Sequence, residues 1–314
     1  MSPIPVYLLL LPGVLMLDYA GCAEALRLAN KQGSAFTLHH IGPEPHPASS
    51  LGLLLGGVEP MPDHLPDGAW IVVPGQTTVS IDSQPAARQA AVRWLRGIWR
   101  EGLQLVTICS GALLAAQCGL LDGRRCTTHH SLIERLRHSA PNARIEDDRV
   151  FVIDGPFATS AGITTGIDLT LELLSRQLGP KLALDVAREM VVWLRRDDST
   201  PQLSPWLSHR SHLHPAVHRV QDAIAAEPTR PWQREELAAI GCVSARHLSR
   251  LFRQYAGISL LDYQHSLQLA LVEPLLRDNG QSLERIAESA GFGSVRDLRR
   301  VWGKQRGTAL RRVG

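Results

Sequence analysis

The sequence predicts an α/β domain with a doubly wound, mostly parallel sheet, followed by an all-α domain that carries two helix-turn-helix motifs. Three observations predict it. In the first two thirds of the chain, short continuous apolar runs alternate with longer segments of helical periodicity. In the last third no strand-like run occurs, and within it one helical plan occurs twice. The 314 residues suffice for about two domains. A composition of 44% hydrophobic and 20% charged residues can build packed cores, which excludes a wholly disordered chain.

Residues 4–11, 69–74 and 103–109 are apolar at successive rather than alternate positions. A strand of that kind is buried on both faces, as in a parallel sheet covered by helices. Residues 35–41 read as another strand. The segments 18–32 and 85–101 place apolar residues at helical spacing and are long enough for crossover helices. Residues 144–154 and 156–161 read as paired strands returning to the sheet, and 166–178 and 181–195 as two helices split by Gly179-Pro180. The stretch RRDDSTPQLSPWLSHRSHLHP, 195–215, has neither period and reads as a linker. The expected organisation is therefore an α/β domain at 1–195, a linker at 196–215 and a helical domain at 216–314.

The internal similarity lies at 235–257, EELAAIGCVSARHLSRLFRQYAG, and 283–307, LERIAESAGFGSVRDLRRVWGKQRG. Each copy has a short amphipathic helix, a glycine-containing turn, a serine (Ser244, Ser294) placed to cap, and an arginine-rich helix. Leu248, Leu251 and Phe252 match Leu298, Val301 and Trp302 as the buried stripe. Arg246, His247, Arg250 and Arg253 match Arg296, Asp297, Arg300 and Lys304 on the opposite face. Two such units are two helix-turn-helix motifs, whose second helices fit successive major grooves of DNA. Charge agrees: residues 1–214 hold 18 Lys+Arg and 20 Asp+Glu, whereas 215–314 hold 15 and 10, a balance that favours a polyanionic partner.

The longest apolar run, 6–17, is broken by Pro12 and Gly13, is too short to span a bilayer and lacks the flanks of a signal peptide. Five cysteines (22, 109, 118, 126 and 242) form no CxxC pair, which predicts neither disulfides nor structural zinc. His209, His212, His214 and His218 offer only one i,i+4 pair, too few ligands for a metal. The expectation is a soluble cytoplasmic protein with no membrane partner, no metal and no cofactor.

The chemically loaded segment is LQLVTICSGALLAAQCGLLDGRRCTTHH. A buried strand runs into Cys109, and Ser110-Gly111 opens a helix, which is the strand–sharp turn–helix plan of a nucleophile elbow. A helix N-terminus favours a thiolate, so Cys109 is expected to be acidic.

Two resemblances follow. Residues 216–314, through GCVSARHLSRLFRQYAGIS, the IAxxxGF segment and the GFGS turn, resemble the AraC/XylS DNA-binding domain. Gln268, Trp302 and Leu310 stand where that family usually has Arg, Phe and Pro, and Pro274 sits inside the linking helix. By matching position the groove-facing candidates are Arg246, His247, Arg250 and Arg253 in the first motif and Val295, Arg296, Arg299 and Arg300 in the second. Residues 4–195, through the cysteine elbow and GRRCTTHH, resemble the PfpI/class I glutamine-amidotransferase-like fold, a flavodoxin-like architecture. That resemblance brings Asp18 and His129 to the elbow and makes Asp18, Cys109, Ser110 and His129 the candidate ligand-binding residues. Ser110 stands where protease-like relatives have His, and no His-x-Glu occurs in the chain, so the elbow is expected to be vestigial.

The joint arrangement resembles the GlxA-like branch of AraC regulators. It implies a homodimeric transcriptional regulator that senses a small-molecule effector (an amino acid or amine), binds promoter DNA and, as an activator, engages RNA polymerase. The competing expectation is an enzyme, a Cys109-dependent hydratase or amidase with Asp18 and His129 as partners.

Overall fold

The computed structural model describes residues 3–33, 35–83, 85–192, 196–198, 200, 202–210, 212–277 and 281–310. The chain folds as two compact units, Met1–Gln202 and Leu203–Gly314.

The strands of the first unit are β1 (Ile4–Leu9), β2 (Phe36–Gly42), β3 (Glu59–Pro60), β4 (Trp70–Val73), β5 (Gln104–Ile108), β6 (Arg125–Cys126), β7 (Arg144–Ile145), β8 (Phe151–Asp154) and β9 (Phe157–Ser160). Its helices are α1 (Met16–Ala29), α2 (Thr78–Ser83), α3 (Pro85–Ile98), α4 (Gly111–Gln117), α5 (Ile133–Ser139), α6 (Thr165–Leu178) and α7 (Pro180–Glu189). Seven strands form one sheet in the order β3-β2-β1-β4-β5-β9-β8, in which β8 and β9 are the antiparallel pair. β6 and β7 make a separate two-stranded parallel sheet, so the 144–154 stretch is divided between the two sheets. The order reverses between β1 and β4, and a crevice at the carboxyl ends of strands forms at such a point.

Each central strand supplies both cores because successive side chains point to opposite faces. Val6, Leu8, Val72, Val106 and Ile108 pack with α1, α6 and α7, while Leu9, Ile71, Val73 and Leu105 pack with α3, α4 and α5. The continuous apolar runs in the sequence have this origin. Helix α7 ends at Glu189, before the boundary expected at residue 195; residues 193–195 lie outside the described residues.

The second unit is helical: α8 (Pro215–Ala226), α9 (Arg234–Gly241), α10 (Ala245–Ala256), α11 (Leu260–Arg277), α12 (Leu283–Ser289) and α13 (Val295–Arg306). One core joins α8, α9 and α10 to the start of α11 through Val217, Val220, Leu237, Leu248, Phe252 and Tyr263. A second joins the rest of α11 to α12 and α13 through Leu269, Val272, Ile286, Phe292, Leu298 and Val301. α11 runs through Pro274.

The stretch expected as a linker, 196–215, is shared between the units. Arg196 pairs with the buried Asp168 at 2.6 Å, and Gln202 Nε2 donates to Thr128 O at 2.9 Å in the first unit. In the second unit His209 Nδ1 donates to Ala256 O at 2.9 Å, and Gln221 Nε2 donates to His209 O at 2.7 Å. These long-range polar contacts leave no periodic signature in the sequence. No helix among the described residues is long and apolar enough to cross a membrane.

Candidate functional site

The elbow follows β5. Cys109 takes φ +54°, a left-handed value that a non-glycine residue holds only where its surroundings impose it. Its N–H continues the sheet by bonding Ser160 O at 3.0 Å, and its carbonyl accepts Thr128 Oγ1–H at 2.7 Å. Gly111 is required at the next turn, because a Cβ there would stand 2.1 Å from the Val73 carbonyl oxygen. Gly162, at φ +94°, is required by the close approach of its loop, since a Cβ would stand 2.2 Å from Cys109 Cβ.

Asp18 reaches the elbow from the first turn of α1 and is fully buried. Its Oδ2 accepts the Gly75 N–H at 3.1 Å and its Oδ1 the Ile163 N–H at 2.6 Å. One carboxyl thus ties together the turns that follow β1, β4 and β9. Burial pushes Asp18 up to about 6, against the lowering effect of those two N–H groups and of the Cys109 thiol. Burial, and then the charge of Asp18, push Cys109 up to about 12. The expectation of an acidic Cys109 is therefore corrected. The seven-residue α4 offers a weak dipole, and desolvation beside a carboxylate outweighs it.

The Ser110 hydroxyl bonds the backbone of the neighbouring turn. Its Oγ accepts Gln76 N–H at 2.7 Å and donates to Gln76 O at 2.9 Å, which fixes the turn after β4. His129 is half-buried and stacks on His130 at 4.2 Å between ring centroids. Its Nδ1 accepts Ser131 N–H at 3.3 Å and meets Ser131 Oγ at 2.8 Å. Burial and the neighbouring His130 hold His129 below the ordinary histidine value. The structure thus brings Asp18, Cys109 and Ser110 together, while among the described residues the hydrogen bonds of His129 go to Ser131. Gly75, Gln76, Thr128, Gly162 and Ile163 complete the site and were not singled out in the sequence. The strand-ending PGQ and SAG turns were the available signal.

In the second unit each recognition helix starts on a capping serine. Ser244 Oγ accepts His247 N–H at 3.3 Å, and Ser294 Oγ accepts Asp297 N–H at 3.1 Å. Both helices end on a left-handed glycine, Gly257 (φ 70°) and Gly307 (φ 66°). Leu248, Leu251 and Phe252, and Leu298 and Val301, are buried as the stripe predicts, with Trp302 partly buried. Arg246, Arg250 and Arg253 are exposed on α10, with His247 half-buried; Arg296, Arg299 and Arg300 are exposed on α13. Val295 packs partly against the second core. Arg250 Nη2 donates to His247 Nδ1 at 3.2 Å, and Arg300 Nη2 pairs with Asp297 at 2.6 Å. Gln268, in place of the usual Arg, is buried and donates from Nε2 to Gly291 O at 3.3 Å, so it holds α11 against the second turn.

In the histidine cluster His218 Nε2 meets His212 O, and His214 N–H donates to His212 Nδ1 at 3.3 Å. Among the described residues no group of three or more His, Cys, Asp or Glu is arranged to hold a metal ion.

Comparison with known proteins agrees with both halves of this geometry. Residues 65–176 match the DJ-1/PfpI family and residues 237–313 match a helix-turn-helix domain. The chain is 30% identical over 293 residues to the HTH-type transcriptional regulator CdhR of Pseudomonas aeruginosa, an alignment covering 92% of this chain and 84% of that one. It is 29% identical to the HTH-type transcriptional regulator GlxA of Rhizobium meliloti, covering 98% and 95%. A crystal structure of an AraC family transcriptional regulator from Pseudomonas putida superposes with a TM-score of 0.52 at 24% identity, covering 60% of this chain and all of that one, which shows the shared fold. The chain belongs to the HTH-type transcriptional regulators that join a DJ-1/PfpI domain to an AraC-type helix-turn-helix domain.

Proposed function

We propose that this regulator reads promoter DNA with both recognition helices and that its DJ-1/PfpI unit is a non-catalytic sensor of a small-molecule effector. The observation that carries the DNA reading is the pair of serine-capped helices, each burying an apolar stripe and presenting exposed arginines. Arg246, His247, Arg250 and Arg253 form one reading face, and Val295, Arg296, Arg299 and Arg300 the other. Arginine is the residue suited to guanine edges, and its neighbours to phosphates. A homodimer places two such pairs on one operator, and an activator then engages RNA polymerase.

The sensing reading rests on the elbow. Asp18 follows β1, and Cys109 and Ser110 follow β5, at the carboxyl ends of central strands where open α/β folds take ligands, and His129 is the fourth residue of the proposed site. The hydratase or amidase alternative is disfavoured by the chemistry of the same residues. A thiol held up at about 12 supplies little thiolate at neutral pH, and Asp18 already accepts two backbone N–H groups. An effector acts through unequal affinity for two arrangements of the protein, with no covalent turnover.

The test is fluorescence anisotropy of the full chain against DNA from upstream of its neighbouring genes, at two salt concentrations. A subset bound far more tightly than random DNA supports the reading and supplies an operator for effector screening. Uniform, steeply salt-dependent binding overturns specific recognition. Steady product formation from a candidate effector, abolished by Cys109→Ala, overturns the non-catalytic reading.

A further inference from the structure

The two recognition helices carry one device at the same place, built from different chemistry. In each, the third residue of the helix bonds the arginine three positions on. On α13, Asp297 Oδ1 accepts both Nε–H (3.2 Å) and Nη2–H (2.6 Å) of Arg300. On α10, His247 Nδ1 accepts Nη2–H of Arg250 at 3.2 Å. Arg250 and Arg300 are exposed, and Asp297 and His247 are half-buried. The serine caps bond the backbone N–H of Asp297 and of His247, so both side chains stand in the first helical turn. That turn is where a recognition helix meets base edges.

The first consequence is orientation. A guanidinium presents five N–H donors in a rigid fork. Asp297 takes the Nε edge of Arg300, which leaves the terminal edge, Nη1–H with the second Nη2–H, pointing away from the carboxylate. Two parallel donors of that kind match N7 and O6 of guanine. The second consequence is the group left over beside the arginine. Asp297 Oδ2 takes no hydrogen bond among the described residues, so an acceptor remains there. His247 is the reverse: with Nδ1 accepting from Arg250, the ring proton sits on Nε2, and a donor remains. His265 of α11, a titratable neighbour of the Asp297–Arg300 pair, is half-buried and stacks on Phe292 at 6.1 Å between ring centroids. Burial holds it below the ordinary histidine value, so it does not neutralise Asp297 at neutral pH.

We propose that Asp297 is a base-specificity residue, which accepts a hydrogen bond from an exocyclic amino group, cytosine N4 or adenine N6, beside a guanine held by Arg300. His247, at the matching place on α10, donates instead to a keto oxygen, thymine O4 or guanine O6, beside a guanine held by Arg250. The major groove displays these groups, and a carboxylate rejects a keto edge because two acceptors then face one another. A carboxylate near the phosphates also weakens binding to DNA of any sequence, so Asp297 lowers general affinity as it raises selectivity. The proposal deepens the promoter-reading function and rests on it: the two subsites of one operator differ in the class of base beside guanine.

The experiment is selection of binding sites by the full chain from a pool of duplexes with a randomised centre, followed by sequencing, for the wild type, Asp297→Ala and His247→Asp. The wild type is expected to select two subsites about one helical turn apart, one with an amino base and one with a keto base beside guanine. At the amino subsite the preference for cytosine or adenine over thymine is expected to be about tenfold. Asp297→Ala is expected to bring that preference close to even, leave the other subsite unchanged and strengthen binding to random DNA about threefold. A merely structural role for Asp297 would weaken binding to every sequence alike. His247→Asp is expected to convert the keto subsite to an amino one, and it decides the matter if Asp297→Ala fails to fold. A selected sequence that is the same for the wild type and both variants overturns the proposal and leaves promoter reading intact. A pool that yields no preferred sequence for the wild type overturns promoter reading, and this proposal with it.

Discussion

The elbow and the recognition helices place their polar groups in opposite environments. At the elbow Asp18 is fully buried, Ser110 nearly so, and every oxygen named there already accepts a bond from the neighbouring backbone. On α10 and α13 the arginines stand in solvent, where Arg250 and Arg300 bond only neighbours on their own helix, and the serine caps sit beneath them. The difference teaches where substitutions will register. At the elbow a change is felt first as stability. On the recognition helices it is felt first as affinity.

The largest expected effect is at Gly111. A Cβ there meets a backbone oxygen that cannot move aside, so Gly111→Ala should destabilise the first unit by about 3 kcal/mol. Urea denaturation followed by circular dichroism measures it. Wild-type stability would mean that β4 and α4 can part without cost and that the elbow is softer than its geometry implies. Gly166→Ala, which meets only the Ile108 side chain at 3.0 Å, is the milder control.

A pH effect of similar size separates the two regions. Asp18 sits at about 6 in the fold, against 3.8 when unperturbed, because of burial. The folded state therefore binds a proton that the unfolded chain has released between those values. This contribution is fully present below pH 3.8 and is lost as pH rises through about 6, amounting to about 3 kcal/mol. Stability of the full chain measured across that window should lose this slope in Asp18→Asn. An unchanged slope would assign it to another group.

On the other side of the comparison, Arg246→Ala and Arg296→Ala should each weaken operator binding by about 1–3 kcal/mol while changing random-DNA binding much less. Anisotropy at fixed salt reads both. Equal losses on both kinds of DNA would reduce these residues to phosphate contacts. The smallest effect is at the caps. Ser244→Ala and Ser294→Ala should each cost about 1 kcal/mol of helical-unit stability, and the corresponding Gly variants a few tenths. A Ser244→Ala protein of wild-type stability but weakened DNA affinity would place the serine in the interface rather than beneath it.

Much of this was legible in the chain. The parallel sheet announced itself because strands covered on both faces are apolar at successive positions, as in Trp70–Val73. The two helix-turn-helix motifs were legible because a serine cap, a glycine stop and a stripe of Leu and Phe are local and were written twice. The short pair β6 and β7 was not, since two residues carry no period.

The sequence by itself determined the fold class, the location of the cysteine elbow and the two basic helices, because these follow from periodicity, caps and charge within a few residues. Only the tertiary structure decided that Cys109 is a high-pKa thiol, that Ser110 serves the Gln76 backbone, that His129 bonds Ser131, and that Arg88 donates to Gln76 and Gln117. Each depends on groups brought together from distant parts of the chain: Asp18 meets Ile163 across 145 positions, and Arg88 meets Gln117 across 29. Burial and partnership set the charge state of a group. Both are properties of the folded neighbourhood, which no local window of residues contains.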